Sequence, residues 1–162
     1  LPILLLEALA TSTLSDLNAR LLIAGEFYGN EEKYMDIIRS RKLDDKVVLR
    51  TSFIPNTEVY LYFSACDLVV QPYRHATQSG VTQIAYHFGK PIITTNVGGL
   101  AEMIPDGKVG YVVSPDPECI AKAIYSFYHE EKEAEFAANV LIERERFSWE
   151  GLLDEIDKIV ID

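Results

Sequence analysis

The residues of this chain whose types and order could do chemistry lie between Asp67 and Pro91, in the run DLVVQPYRHATQSGVTQIAYHFGKP. Arg74 and His75 stand in a polar stretch, Pro72 to Gln78, that leads into Ser79-Gly80-Val81. A cation just ahead of the first amides of a helix offers an anion both a positive charge and N–H donors that no helix carbonyl uses. Ser79 or Thr77 is expected to cap that helix, and Gly80 lets a ligand come close to the main chain. The chemistry is the binding of a phosphate, most simply a diphosphate, beyond the end of a strand read over Asp67 to Gln71. Open α/β sheets hold their ligands at that place. A polar loop before a helix is also what plain connection looks like, so the run alone leaves both readings open.

The 162 residues, 48% hydrophobic and 25% charged, suit one globular domain with a full core. A formal net charge of −10 with no basic run argues against nucleic acid or an anionic membrane as partner. A small anion needs only one local cation and a helix start. Cys66 and Cys119 lie far apart and join no metal-spaced cluster, so no metal site is expected and a reducing, cytoplasmic setting fits. No apolar run is long enough to span a bilayer, and any contact with the inner face of a membrane is expected to run through parts outside this sequence.

Elements that would position the central run follow from hydrophobic spacing. The chain opens without Met on a helical pattern, Leu5, Ala8 and Leu9 on one face and Pro2 in the first turn, with no strand before it; a fragment of a two-domain protein is expected. Arg20 to Ala24 reads as a strand buried on both faces. Asn30 is expected to cap a helix with Tyr34, Ile37 and Ile38 inward, and Lys46 to Arg50 forms the next strand. Asn56 then caps a helix whose Val59, Tyr62, Phe63 and Cys66 share an inner face. Beyond the polar loop, Val81, Ile84, Ala85 and Phe88 recur at helical spacing, with Gln83 and His87 on another side. Pro91 to Thr95 is a strand ending in Asn96-Val97-Gly98-Gly99, where glycines permit a tight bend or a ligand's close approach. After the Asp106-Gly107 turn, Gly110 to Val113 is a fifth strand. Asp116-Pro117-Glu118 starts a helix with Ile120, Ala123, Ile124 and Phe127 inward. A solvated acidic helix reaches about Arg146, and Ser148 caps a last one. Strands alternating with helices predict an α/β domain, a doubly wound parallel sheet of at least five strands with helices on both faces. Its ligand edge comprises the loops after Ala24, Arg50, Gln71 and Thr95.

Three segments in this order, LLIAGE, DLVVQPYRHATQSGVTQIAYHFGKPIITTNVGGLAEMI and DGKVGYVVSPDP, resemble the C-terminal domain of the glycosyltransferase family 4, or group 1, enzymes. That resemblance implies a Rossmann-like GT-B domain over residues 1–162 that binds a nucleotide diphosphate sugar. It implies an N-terminal domain for a saccharide or lipid-linked acceptor, transfer with retention of configuration, no metal or other cofactor, and a place in polysaccharide or glycolipid synthesis. Carried over by position, the amides around Ser79, Gly80 and Val81 face the donor diphosphate and Arg74 neutralises its charge. Gly25 and the loop with Phe53 and Ile54 match places that hold base and ribose. Gln78 and Glu102 are expected to orient the sugar, Glu102 being equally readable as an acid that suits a helix dipole.

Two departures from the family pattern matter. Many members carry two glutamates eight positions apart around this helix start, and alignment through Gly89-Lys90-Pro91 puts Ala76 and Ile84 there. Thr77, Gln78 or Gln83 is left to do part of that polar work. The family domain also opens with a strand and a basic loop before the segment matching Leu1-Pro2. Without them, the strands at Leu21 and Leu68 are expected to pair directly or to have their gap filled by another chain, and the fragment is expected to be inactive alone. Two other readings stand beside the transferase: a GT-B epimerase or hydrolase acting on a nucleotide sugar, and a non-catalytic nucleotide-binding α/β module.

Overall fold

The computed structural model describes residues 3–26 and 31–147. In chain order its elements are α1 (Ile3–Leu9), β1 (Leu21–Ala24), α2 (Glu32–Ser40), β2 (Val47–Arg50), α3 (Val59–Ala65), β3 (Val69–Gln71), α4 (Gly80–His87), β4 (Ile92–Thr95), β5 (Gly110–Val113), α5 (Pro117–His129) and α6 (Glu133–Glu143). Short 3-10 turns lie at Ser12–Leu14, Ala101–Met103 and Arg144–Phe147. The expected α/β alternation is present, and all the strand pairs are parallel. Pro2, Asn30, Ser148 and the last helix fall outside the described residues.

The strands form two sheets, β1-β2 and β3-β4-β5. Leu21 pairs with Val47 in the first; in the second, central β4 sets Ile92 between Val69 and Gly110. Within each sheet the order is that of a doubly wound fold, yet among the described residues β1 and β3 share no ladder. Of the two arrangements expected for these strands, direct pairing does not occur. What unites the sheets is a common apolar core. Leu21 and Ile23 of β1 and Val70 of β3 pack on the cluster that contains Leu4, Leu5 and Leu6 of α1, Ile93 of β4 and Ile120 and Ile124 of α5. Helix α1 buries five of its seven residues, more than the one face expected, because it packs against both α2 and α5.

Burial corrects three sequence readings. Strand β1 is covered on one face only: Leu22 and Ala24 are exposed, as are Val48 and Arg50 of β2, so both strands alternate rather than bury both sides. Helix α3 starts two residues after Asn56's neighbour Thr57 and buries no residue fully. Cys66 lies past its end in extended conformation, half-buried, its thiol donating to the Phe63 carbonyl at 3.4 Å. Helix α4 turns Thr82, Ala85 and Tyr86 inward and leaves Val81 37% exposed, a face rotated from the predicted one. The rotation has a polar cause, since Thr82 finds a partner on β3 and the Tyr86 hydroxyl donates to the Met103 carbonyl at 2.6 Å.

Helix α5 matches its reading residue by residue. Asp116 Oδ1 accepts from the Glu118 and Cys119 amides, Pro117 opens the helix, and Ile120, Ala123, Ile124 and Phe127 are buried. Helix α6 is less solvated than its acidic sequence suggests. Phe136 and Val140 are buried, and so is Glu143, whose two carboxylate oxygens take Lys108 and, at 2.9 Å, Arg146. Asn139 adds a bond to the Lys108 carbonyl at 2.8 Å, so α6 is fastened to the loop ahead of β5. These hydrogen bonds hold the Glu143 carboxyl below its ordinary value, while burial, and then the Glu143 charge, push the Tyr86 phenol up to about 12.

Candidate functional site

Because the strands of each sheet are parallel, the loops after them leave at one end. Two of those loops touch through their main chains. The Gly99 amide donates to the Thr77 carbonyl at 3.2 Å, and Gly98, at φ +53°, sits so close that a Cβ there would overlap the Ala76 carbonyl oxygen. The close approach that these glycines allow is therefore to the chain's own 72–79 loop. That loop is fixed from below as well, since Thr95 Oγ1 at the end of β4 donates to the Tyr73 carbonyl at 2.6 Å.

A buried polar cluster joins this loop to α4. Gln71 ends β3 and is 2% exposed, and Thr82, in the first turn of α4, is 0% exposed. Gln71 Nε2 donates to Thr82 Oγ1 at 3.0 Å, and the Thr82 hydroxyl lies 3.1 Å from Gln71 Oε1. Gln71 Nε2 also reaches Ser79 Oγ at 3.5 Å, and the Tyr73 hydroxyl lies 2.9 Å from the same Ser79 oxygen. Buried side-chain amides and hydroxyls cost stability unless bonded, so the cluster is held together by mutual need.

Ser79 stands at the N-cap position of α4 with extended backbone angles (φ −139°, ψ 120°), yet its side chain makes no capping bond. The expectation that Ser79 or Thr77 caps the helix through its hydroxyl is not met, because the Ser79 hydroxyl is turned toward Tyr73 and Gln71. Among the described residues the Gly80 and Val81 amides have no acceptor, and for Val81, the second amide of the helix, the turned Ser79 hydroxyl is the reason. Gly80 is exposed, and a Cβ added to it would meet nothing within 4 Å. Open space, two free N–H donors and the positive end of a helix are the ingredients of an anion cradle.

The other sequence-predicted residues are placed as follows. Arg74 is exposed in the 72–79 loop and has no ion-pair partner among the described residues. Gln78 and Gln83 are exposed, one before the helix start and one on its outer side. Glu102 is exposed in the 3-10 turn Ala101–Met103, one residue from the carbonyl held by Tyr86. Gly25 follows β1 at φ +132° with open space over it, and Phe53 is 67% exposed and Ile54 half-buried after β2. The structure brings Ala76 and Thr77, just ahead of Ser79, Gly80 and Val81, against Gly98 and Gly99 of the loop after β4. Gly25 follows β1, and Phe53 and Ile54 follow β2. No group of three or more His, Cys, Asp or Glu side chains is gathered in metal-binding fashion among the described residues.

Gln71, Tyr73, Thr82 and Thr95 carry this geometry and were not singled out in the sequence. One signal was there: a glutamine ends the apolar run Leu68-Val69-Val70, and a buried strand does not tolerate an amide without a partner.

Residues 3–130 match the family described as "Glycosyl transferases group 1". Among curated relatives, D-inositol 3-phosphate glycosyltransferase of Pseudarthrobacter chlorophenolicus is 33% identical over 99 residues, 60% of this chain and 23% of that protein. A protein of the cps region of Klebsiella pneumoniae, itself uncharacterised, is 32% identical over 105 residues, 60% of this chain and 29% of its own length. The chain thus spans under a third of either relative. Among solved structures, Anabaena HepE in complex with UDP superposes with a TM-score of 0.81 at 21% identity, over 97% of this chain and 44% of HepE. The C-terminal domain of the group 1 family protein LpcC from Francisella tularensis gives 0.76 at 18% identity, over 86% of this chain and 75% of that domain.

Proposed function

Because the chain belongs to the group 1 glycosyl transferases, we propose that the rim at the start of α4 is the donor site of a sugar-transferring enzyme, taking the diphosphate of a nucleotide sugar. One observation carries this reading: the Gly80 and Val81 amides have no acceptor at an exposed helix start, the Val81 amide because the Ser79 hydroxyl that could cap it is bonded elsewhere. Breaking the sugar–phosphate bond leaves charge on the departing diphosphate, and preorganised N–H donors at a helix start lower the barrier by meeting that charge without reorganising. Arg74, exposed in the loop that leads to them, adds a positive charge. Main-chain and side-chain groups of Gly25, Phe53 and Ile54 are assigned to base and ribose, and Gln78 and Glu102 to the sugar. Gln83 is the polar substitute nearest the position where relatives carry the second glutamate. HepE is a precedent for UDP and UDP-glucose on this fold. Transfer to a saccharide or lipid-linked acceptor, with retention and without a metal, completes the proposal for the whole protein, whose acceptor domain lies outside residues 1–162.

A second reading is favoured by Ala76 and Ile84, which offer no carboxylate at either end of the helix start. In that reading the domain binds a nucleotide and transfers nothing.

Calorimetric titration with UDP, GDP, ADP and CDP tests the donor site. One diphosphate is expected to bind saturably, and Arg74→Ala and Gly80→Ala are each expected to weaken it about tenfold, or about 1.4 kcal/mol. Gly80→Ala should leave the melting temperature intact, since its Cβ enters open space. A folded protein that binds none of the four at millimolar concentration would remove the donor-site reading. Binding without sugar transfer by the full-length protein would favour the second.

A further inference from the structure

We propose that Tyr73 and the buried pair Gln71–Thr82 are positioning residues that hold the Ser79 hydroxyl away from its own helix and so keep the Val81 amide of α4 open, beside that of Gly80, for an anion. As a statement about the diphosphate, the proposal rests on the donor-site reading above; as a statement about the amides, it does not.

A serine at the N-cap normally accepts from the second or third amide of its helix. The backbone angles of Ser79 are those of an ordinary cap, so nothing in the main chain prevents the bond. The side chain is instead captured from below, by the Tyr73 hydroxyl at 2.9 Å and more weakly by Gln71 Nε2 at 3.5 Å. Each captor is itself restrained. Tyr73 is held through its carbonyl by Thr95 Oγ1 at 2.6 Å, and the Gln71 amide is oriented by Thr82 on the first turn of α4, at 3.0 and 3.1 Å. The two groups that reach this oxygen are thus each braced by another element, Tyr73 by β4 and Gln71 by α4. Ser79 is 9% exposed, so water competes for that oxygen less than it would on the surface. If the hydroxyl were released, the Val81 amide, unsatisfied and second in the helix, would be the donor a cap serine takes, and a capped amide is lost to a ligand. The device stores no charge and needs no large motion; it chooses between an intramolecular acceptor and an incoming one.

Tyr73→Phe removes a single oxygen at a half-buried position and keeps the ring. Amide hydrogen exchange on the ligand-free protein is the first readout: at Val81 the variant is expected to exchange at least tenfold more slowly than the parent, because Ser79 now caps. Adding Ser79→Ala to Tyr73→Phe should restore fast exchange. Diphosphate affinity, measured with UDP, should fall about tenfold in Tyr73→Phe while the melting temperature holds or rises, and should recover in the double variant. A purely structural role predicts affinity and stability falling together with no rescue, and that result would overturn the proposal. Unchanged exchange at Val81 in Tyr73→Phe would overturn it as well, whatever the affinity. If exchange behaves as expected but the parent binds no diphosphate, the gate stands and the donor-site reading falls.

Discussion

Thr94 and Gln71 are neighbours across the β3–β4 ladder, and their environments differ sharply. The Gln71 amide is bonded to Thr82 and Ser79, whereas Thr94 Oγ1 is the one buried side-chain oxygen among the described residues without a partner. An unbonded buried hydroxyl carries its desolvation cost with nothing to offset it, so Thr94→Val is expected to raise stability by about 1 kcal/mol. Urea denaturation reads this directly, and a loss of stability would mean that the hydroxyl has an acceptor. Residue identities were legible where chemistry is local. Asp116 capping α5 needs only its own next three residues, and the sequence names it. The Ser79 rotamer was not legible, because it is decided by Tyr73 and Gln71, six and eight positions away along the chain but adjacent in space.

At the scale of elements, the helices differ in how they are attached. Helix α5 is anchored chiefly by apolar burial along its inner face, as its periodicity says. Helix α6 relies partly on charge, through Glu143 and its bonds to Lys108 and Arg146. Those bonds lower the carboxyl's pKa in the folded state, so the stability they contribute is present above the ordinary glutamate value. It is lost as pH falls from there through the lowered folded value. Wild type minus Glu143→Gln in melting temperature should accordingly be constant at neutral pH and shrink below about pH 4.5. Near pH 7, removal of the carboxylate should cost about 1–2 kcal/mol, between an exposed pair and a buried one, since both cations are half-exposed. A difference independent of pH would show that packing, not charge, holds α6. The sequence showed α6 as acidic and helical, but acidity on a helix reads as solvation until the partner is known. Here the partner, Lys108, comes from a loop 35 positions earlier. The rotated face of α4 has the same origin, since a threonine and a tyrosine turned inward on account of acceptors in β3 and the Met103 turn.

For the molecule as a whole, the two sheets differ in protection. Strand β4 is buried at all four residues and paired on both sides, while β1-β2 is a two-stranded sheet with Leu22 and Val48 exposed on its outer face. Amide exchange should therefore be slowest at residues 92–95 and faster by orders of magnitude across β1 and β2. Equal protection in both would show that the sheets open as one unit. Both depend on the core shared through α1, which joins the described residues of the two sheets despite the break in the ladder. The sequence by itself determined the order of strands and helices, the family, and the position of the candidate anion cradle. These follow from hydrophobic spacing, cap residues and glycine placement, which act within a few residues of one another. Only the tertiary structure decided that the sheet is interrupted between β1 and β3, that Gly98 makes room for the Ala76 carbonyl, and that the Ser79 hydroxyl is drawn off its helix. Each of those outcomes is set by partners distant in sequence, whose meeting depends on how the layers pack.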